Sequence, residues 1–304
     1  MDRIYDMIIV GGGPGGYTAA LYAARAGLDV LIIERLSAGG QMNLTGQIDN
    51  YPGFPEGVDG FQLSFNMQQQ AERFGAKTKY AEVLKLELGG EAKKVHTNEG
   101  EYQAKTVVIS TGANPRQLGV DRENEMIGRG VGYCAHCDGG FYRGKTVIVA
   151  GGGNSAAAEA LYLSRIAKEV ILVHRRDSLR ATQIYHKPLM EASNIRFLWD
   201  SEIVELLGED VLSGVRVRNK KNEEEQVLEA QGLFVSVGRK PATDLVKGQL
   251  TLDDAGYIMA GEDTKTNLSG VYAVGDVRTK ELRQIVTAVA DGAMAAHMAE
   301  GYLA

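Results

Sequence analysis

The chain has 304 residues, 44% of them hydrophobic and 24% charged, with 38 glycines, 6 prolines and a formal net charge of −6. That length suggests about two domains with ample core. The acidic balance gives no basic field for nucleic acid or anionic lipid, and no apolar run approaches the roughly 18 residues a membrane helix requires.

Many glycines with few prolines point to tight strand-to-helix turns, and so to α/β architecture. Tyr5 to Val10 is a short apolar strand that follows the N-terminus almost at once, with no signal peptide expected before it. It is followed by Gly11-Gly12-Gly13-Pro14-Gly15-Gly16, a helix through Ala24, and a strand from Asp29 to Glu34, which makes a βαβ unit. Gly11, Gly13 and Gly16 fit G-x-G-x-x-G, in which the glycines permit the turn, the approach of a pyrophosphate and close helix packing. Glu34 ends the second strand, where a carboxylate can accept both ribose hydroxyl protons.

Phe61 to Phe74 reads as a helix, and Val83 to Leu88, Lys94 to Thr97 and Tyr102 to Ile109 read as strands. The last runs out through Thr111-Gly112 to Pro115. Next comes Val131-Gly-Tyr-Cys134-Ala-His-Cys137-Asp138-Gly, which holds both cysteines of the chain. A C-x-x-C pair can close a disulfide, and at a helix start the peptide dipoles would stabilise its thiolate. Half of a zinc site is the alternative, but no second C-x-x-C or close His pair follows. With one cysteine pair and no disulfide framework, a reducing, cytoplasmic setting is expected.

A second βαβ copy then begins. Thr146 to Val149 is its strand, Gly151, Gly153 and Ala156 fit G-x-G-x-x-A, a helix runs through Ile166, and Glu169 to Val173 is the returning strand. Where the first copy has an acid, this one has His174-Arg175-Arg176, with Arg180 four residues beyond. Guanidinium groups pair with a 2′-phosphate, which a carboxylate would repel. Two such contacts at about 1.5 to 3 kcal/mol each favour NADPH over NADH by roughly a hundredfold or more. Ala181 to Ala192 reads as a helix, and Ile195 to Leu198, Gly214 to Arg218 and Glu225 to Leu228 as strands, with Lys220 to Glu224 a solvated hairpin tip. Trp199 reads as packing.

Phe234-Val-Ser-Val-Gly238-Arg-Lys-Pro241 repeats the strand–Gly–Pro exit at 107–115, so these are read as the two connections of an inserted domain. Val271 to Asp276 returns a strand to the first domain, and a long helix spans Gln284 to Tyr302, with Met294 and Met298 expected in its core. Two dinucleotide sites and one thiol pair call for a relay, because a disulfide does not readily accept a hydride and a flavin does. No residue pattern at Glu34 separates FAD from NAD; this chemistry assigns FAD to the first site and NADPH to the second.

Gly11 to Gly16, Gly40-Gln41, Asn50-Tyr-Pro-Gly-Phe-Pro55, Thr111-Gly112, Cys134-Ala-His-Cys137-Asp138, Gly151 to Ala156, His174-Arg-Arg, Gly275-Asp276 and Arg283-Gln284, in this order, resemble the low-molecular-weight thioredoxin reductases over essentially the whole chain. The resemblance implies two Rossmann-like three-layer dinucleotide-binding domains, the second inserted into the first. Residues 1–113 and 242–304 would bind FAD, and 114–241 would bind NADPH and carry the redox pair. It implies a cytoplasmic homodimer that reduces thioredoxin or a thioredoxin-like protein.

By the same resemblance Cys137 lies next to the flavin, Cys134 attacks the partner's disulfide, and Asp138 is the general acid and base. FAD would be held by Gly11, Gly13, Pro14, Gly16, Glu34, Gly40, Gln41, Asn50, Thr111, Gly112, Ala113, Gly275, Asp276, Arg283 and Gln284. NADPH would be held by Gly151, Gly153, Asn154, Ser155, Ala156, His174, Arg175, Arg176 and Arg180. The family alternates between two states by rotating one domain against the other, which fits the paired connections.

Two positions depart from the family pattern. His136 occupies a spacer site that often holds Thr or a small apolar residue, and its imidazole is expected either to be tolerated or to make the pair more oxidising. Gly140 replaces a bulky aromatic, leaving Phe141 and Tyr142 as candidate docking groups. A related dithiol oxidase leaves the arginine site unexplained, a ferredoxin-type NADP reductase leaves the cysteines unexplained, and a non-enzymatic flavin sensor leaves both unexplained.

Overall fold

The computed structural model describes residues 3–44 and 47–304, and for Leu44 and His136 the backbone only. The chain forms two compact units. The first combines the N-terminal stretch through residue 44 with Tyr51–Asn114 and Lys240–Ala304, and the second is Pro115–Arg239 with the short segment 47–50.

The first unit is built on β1 (Ile4–Val10), α1 (Pro14–Arg25), β2 (Val30–Glu34), α2 (Gly60–Arg73), β3 (Lys77–Tyr80), β4 (Val83–Glu87), β5 (Lys93–Thr97) and β6 (Gly100–Ile109). Its sheet runs β3-β2-β1-β6-β5-β4, with Val271–Ala273 also paired to β6. The β1, β2 and β3 pairings are parallel, as is that of Val271–Ala273, whereas β4, β5 and β6 form an antiparallel meander.

β1 reads as an unbroken apolar run because both its faces are covered. Met7 and Ile9 pack toward α1 and the C-terminal helix Ile285–Leu303, while Ile8 and Val10 pack toward Leu86, Val95 and Ile258. The sequence reading missed β3, whose Lys-Thr-Lys-Tyr has no apolar alternation. Such polarity suits a sheet edge, where charge discourages further pairing.

Pro14 sits in the first turn of α1, where its fixed φ suits the helix and its missing N–H leaves no bond unmade. α1 and the C-terminal helix approach through small residues: a Cβ on Gly292 would overlap the Gly15 carbonyl oxygen. The C-terminal helix turns Gly292, Ala295, Ala296 and Ala299 inward. Met294 therefore falls on the opposite face and is 37% exposed, against the core position expected for it, whereas Met298 packs against the α1 side of the core.

The second unit contains β7 (Val131–Gly132), α3 (Ala135–Asp138), β8 (Thr146–Ala150), α4 (Asn154–Ser164), β9 (Glu169–Val173), α5 (Gln183–Glu191), β10 (Ile195–Leu198), β11 (Ser201–Leu207), β12 (Gly214–Asn219), β13 (Glu225–Glu229) and β14 (Gly232–Val235). β7-β14-β8-β9-β10 form a parallel sheet, and β11-β12-β13 form a separate antiparallel one. Val147 and Val149 face α4 and α5, while Ile148 and Ala150 face Ile203, Val215 and Leu228. Each unit is therefore three layers deep, with helices on one face of a parallel sheet and antiparallel strands on the other. Lys220 and Lys221 lie exposed in a turn between β12 and β13, paired with Glu202 and Asp200.

The chain leaves the first unit between 114 and 115 and returns between 239 and 240. The Arg116 amide donates to the Gly238 carbonyl at 2.9 Å and the Ala242 amide to the Gly112 carbonyl at 3.0 Å, so the outgoing and returning strands run side by side. Gly112 and Gly238 have φ of +70° and +118°, a region glycine enters without a Cβ penalty.

Gly292→Val is expected to destabilise the first unit by about 1–3 kcal/mol or more by forcing the two helices apart. Urea denaturation followed by circular dichroism would measure it. An unchanged midpoint would mean that the helices do not depend on this close approach.

Candidate redox and dinucleotide sites

Both glycine loops are backbone-on-backbone contacts. Gly11 has φ +103° and Gly151 φ +149°. A Cβ on Gly11 would overlap the Ser110 carbonyl oxygen just after β6, and one on Gly151 would overlap the Ser236 carbonyl oxygen just after β14. The third motif position keeps α1 or α4 close: a Cβ on Gly16 would meet the Gly11 carbonyl, and the second loop admits the methyl of fully buried Ala156. The middle glycines, Gly13 and Gly153, have open space where a Cβ would point. A pyrophosphate fits such a cradle at a helix N-terminus.

Around the first loop, the Glu34 carboxylate accepts the Gly12 amide at 2.7 Å and the Leu36 amide at 3.0 Å, which fixes it beside the glycines. Gly40 begins a short 3-10 helix, and its Cβ position is 3.9 Å from the Gly13 Cα. Gln41 reaches Asn114 at 3.3 Å, Thr111 donates its hydroxyl to the Ala242 carbonyl at 2.7 Å, and Ala113 is buried. Gly275 and Asp276 form a tight turn, and Gln284 caps the C-terminal helix in a reciprocal box with Thr287. The Arg283 guanidinium stacks 4.1 Å over Tyr257, and its buried Nε has no partner among the described residues. Asn50, grouped with the others from the sequence, falls in the second unit.

In the second loop the residue opposite the glycines is His174, and its ring fills the space a Cβ on Gly152 would need. Burial, then the Arg180 and Arg176 charges, hold its imidazole below the usual range, and its Nε2 is a buried atom without a partner among the described residues. The Arg180 amide donates to the Gly152 carbonyl at 2.7 Å, so that residue is tied to the glycine loop by its backbone. Arg175, Arg176 and Arg180 are exposed, and among the described residues none forms an ion pair. Asn154 accepts the Thr182 amide at 2.8 Å, fastening the loop that follows the arginines to the start of α4, while Ser155 is exposed in the first turn. Trp199 stacks on Phe197 at 4.9 Å and meets His174 edge-on.

Cys134 and Cys137 are joined as a disulfide, with Cα atoms 5.3 Å apart. Cys134 is the N-cap of α3, and its carbonyl accepts the amides of Cys137 and Asp138, both at 3.1 Å. α3 runs on without a break into a 3-10 turn, Gly139–Tyr142, so Cys134 stands at the start of a short helical segment. Desolvation pushes the Asp138 carboxyl up to about 6, keeping a proton available close to neutral pH. The His136 side chain lies outside the described residues. Phe141 is 57% exposed, whereas Tyr142 packs edge-on against Phe234 at 5.3 Å, so of the two candidate docking rings only Phe141 is free to meet a partner.

Among the described residues, two buried carboxylates that lie on helices were not singled out from the sequence. Asp291 accepts Arg278 at 2.7 and 2.9 Å, Lys280 at 2.6 Å and the Gly275 amide at 2.8 Å, so a buried charge cluster clasps the Gly275–Asp276 turn. Glu159 accepts the Ala135 amide and the Ser236 hydroxyl. Each is a lone acid on an alanine-rich helical stripe, Asp291 among Ala288, Gly292 and Ala295 and Glu159 among Ala156, Ala157 and Ala160. A charge on an otherwise apolar stripe was the signal that could have found both.

The pyridine nucleotide-disulphide oxidoreductase family model matches residues 5–292. The chain is 46% identical over 307 residues to the thioredoxin reductase of Streptomyces clavuligerus, covering all of this chain and 95% of that one. It is 43% identical over 303 residues to that of Listeria monocytogenes, covering 99% and 95%. Among solved structures, the thioredoxin reductase from Streptococcus pyogenes matches with a TM-score of 0.91 at 44% identity, covering 100% of this chain and 99% of that one. The Lactococcus lactis thioredoxin reductase in its FR conformation matches with a TM-score of 0.71 at 43% identity, covering 98% and 99%.

Because Asp138 binds its proton more tightly folded than unfolded, the stability that its neutral form contributes is complete below about pH 4 and falls as pH rises to about 6. Asp138→Asn removes that loss. Relative to the parent, the variant is expected to gain up to about 3 kcal/mol between pH 4 and pH 7. Urea unfolding at both pH values tests it; an equal difference at the two would show that Asp138 is not held neutral.

Proposed function

The chain belongs to the pyridine nucleotide-disulphide oxidoreductases, and within them to the thioredoxin reductases, and from that membership we propose that it carries electrons from NADPH through FAD and the Cys134–Cys137 disulfide to oxidised thioredoxin or a thioredoxin-like protein. The observation that carries this reading is a closed C-x-x-C disulfide in the same unit as a glycine loop backed by three exposed arginines that form no ion pair among the described residues.

FAD suits the first unit: the open face at Gly13, the fixed carboxylate of Glu34, the Gly275–Asp276 turn and the partnerless Nε of Arg283 are the groups it would meet. Bound there, it would supply a hydride acceptor that can also give two electrons to sulfur. Residues 1–113 and 242–304 are assigned to it, with Gly11, Pro14, Gly16, Gly40, Gln41, Thr111, Gly112, Ala113 and Gln284 lining the same loops. Asn50 is retained in this set from the resemblance. Residues 114–241 are assigned to NADPH. Arg175, Arg176 and Arg180 would pair with its 2′-phosphate, neutral His174 would place a ring behind the loop, and Gly151, Gly153, Asn154, Ser155 and Ala156 would receive its pyrophosphate.

Cys134 is the sulfur that attacks the partner's disulfide, and Cys137 is the one that receives electrons. Asp138 gives and takes the thiol proton, a role its raised proton affinity suits. Phe141 offers the exposed ring for a docking protein. Among the described residues no helix is long and apolar enough to cross a membrane, and a cytoplasmic homodimer is the assembly we assign by family.

Anaerobic NADPH consumption with and without oxidised thioredoxin tests the reading. Catalytic consumption that depends on thioredoxin supports it, and a single flavin reduction followed by a stall shifts the acceptor to another disulfide protein. Cys134→Ser should abolish protein-disulfide reduction while leaving flavin reduction by NADPH intact; normal turnover in that variant would sink the role given to Cys134. Replacing Arg175 and Arg176 by Ala should shrink the preference for NADPH over NADH by roughly a hundredfold, for two lost contacts. An unchanged ratio of kcat/KM values would leave those arginines as solvated surface.

A further inference from the structure

Glu159 has no part in the reading above. It lies on α4 between Ala156, Ala157, Ala160 and Leu163, all fully buried, and is itself 9% exposed. One carboxyl oxygen accepts the amide of Ala135, the residue after Cys134, at 3.4 Å. The other accepts the Ser236 hydroxyl, and Ser236 is the residue whose carbonyl abuts Gly151. The carboxyl thus touches the redox turn on one side and the base of the dinucleotide loop on the other, and neither hydrogen-bond partner carries a charge. The charged groups that act on it are Asp138 from α3, which opposes its ionisation, and Arg239 beyond β14, which favours it; Tyr142 faces Asp138 from the segment after α3.

We propose that Glu159 is a second proton holder for the Cys134–Cys137 pair, a positioning residue that takes up a proton when the disulfide is reduced. The inference rests on the reading of that pair as redox-active. Reduction breaks the S–S bond and adds two electrons; with one proton it leaves one thiol and one thiolate. The new negative charge is created in the low-dielectric surroundings that Glu159 shares, where two neighbouring anions oppose each other. The carboxylate answers by accepting a second proton from water, so two electrons and two protons enter together and the net buried charge does not change. Burial already pushes this carboxyl up to about 7, so the exchange falls near neutral pH. The Asp138 charge raises the proton affinity of Glu159 further, so the step at Glu159 depends on the state of Asp138.

The test is the pH dependence of the disulfide equilibrium in the purified holoprotein. The protein is equilibrated with reduced and oxidised dithiothreitol between pH 5.5 and 8.5, trapped by alkylation and read by intact mass. After correction for the two protons that dithiothreitol releases on oxidation and for the ionisation of its thiols, each proton the protein takes up makes the constant of its half-reaction fall about tenfold per pH unit. Near pH 7 the parent is expected to be steeper than Glu159→Gln by one such factor, and Asp138→Asn is expected to keep a Glu159 step. Ser236→Ala removes a donor that favours the carboxylate, so the steep region should persist and move to higher pH.

A Glu159 that served only to pack the helix would shift the constant equally at every pH. A Glu159→Gln profile parallel to the parent's therefore overturns the proposal. If that variant fails to fold, a steep region unmoved in Ser236→Ala overturns it. A parent disulfide that does not exchange with dithiothreitol at any pH is a different result, because it removes the redox reading itself.

Discussion

Both units depend on one steric constraint: the backbone leaving the first strand runs so close to the carbonyl ending a neighbouring strand that no side chain fits between them. Gly11 against Ser110 and Gly151 against Ser236 are the two cases. The approach brings the start of α1 or α4 to the carboxyl edge of the sheet, the end at which a helix leaves its first amides without intrahelical partners. Everything else at each site is placed relative to that turn. Glu34 is held by the Gly12 amide, and the Arg180 backbone by the Gly152 carbonyl.

With the frame duplicated, the difference between the two sites is electrostatic. The residue facing the second glycine is a carboxylate in one unit and an imidazole followed by guanidinium groups in the other. The scaffold leaves room for either because both glycine loops are packed backbone on backbone. Side chains at the end of the second strand are then free to set the sign of the local field. The same division separates Asp291 from Glu159. Asp291 is neutralised by Arg278 and Lys280 and so holds a turn rigidly, whereas Glu159 has uncharged hydrogen-bond partners and keeps a proton within reach.

The sequence was most legible where the backbone itself is constrained. The βαβ repeats, both glycine loops and the paired Gly–Pro connections could be placed because glycine and proline report φ directly. β2 and β9 were readable from their β-branched runs. β3 and β11 were not: one is a polar edge and the other, Ser-Glu-Ile-Val-Glu-Leu-Leu, breaks alternation at a register shift near Ile203. Met294 was misplaced because apolar character alone does not say which side of a helix meets a neighbour; the small residues around it decided that. The buried acids escaped notice since their partners are distant in sequence, as with Arg278 and Asp291, or are backbone and hydroxyl groups that carry no signature, as with Ala135 and Ser236.

The side-by-side strands that lead out of the first unit and back into it have a consequence for how such a chain can be assembled. The second unit begins and ends at neighbouring points, joined by the Arg116–Gly238 hydrogen bond, while the flanking segments of the first meet at Gly112 and Ala242. A module with adjacent ends can be spliced into a surface loop of another fold without stretching either one. The discontinuous unit thus remains, topologically, a single domain with a long loop, and the inserted segment could be cut out and the gap closed by a short linker.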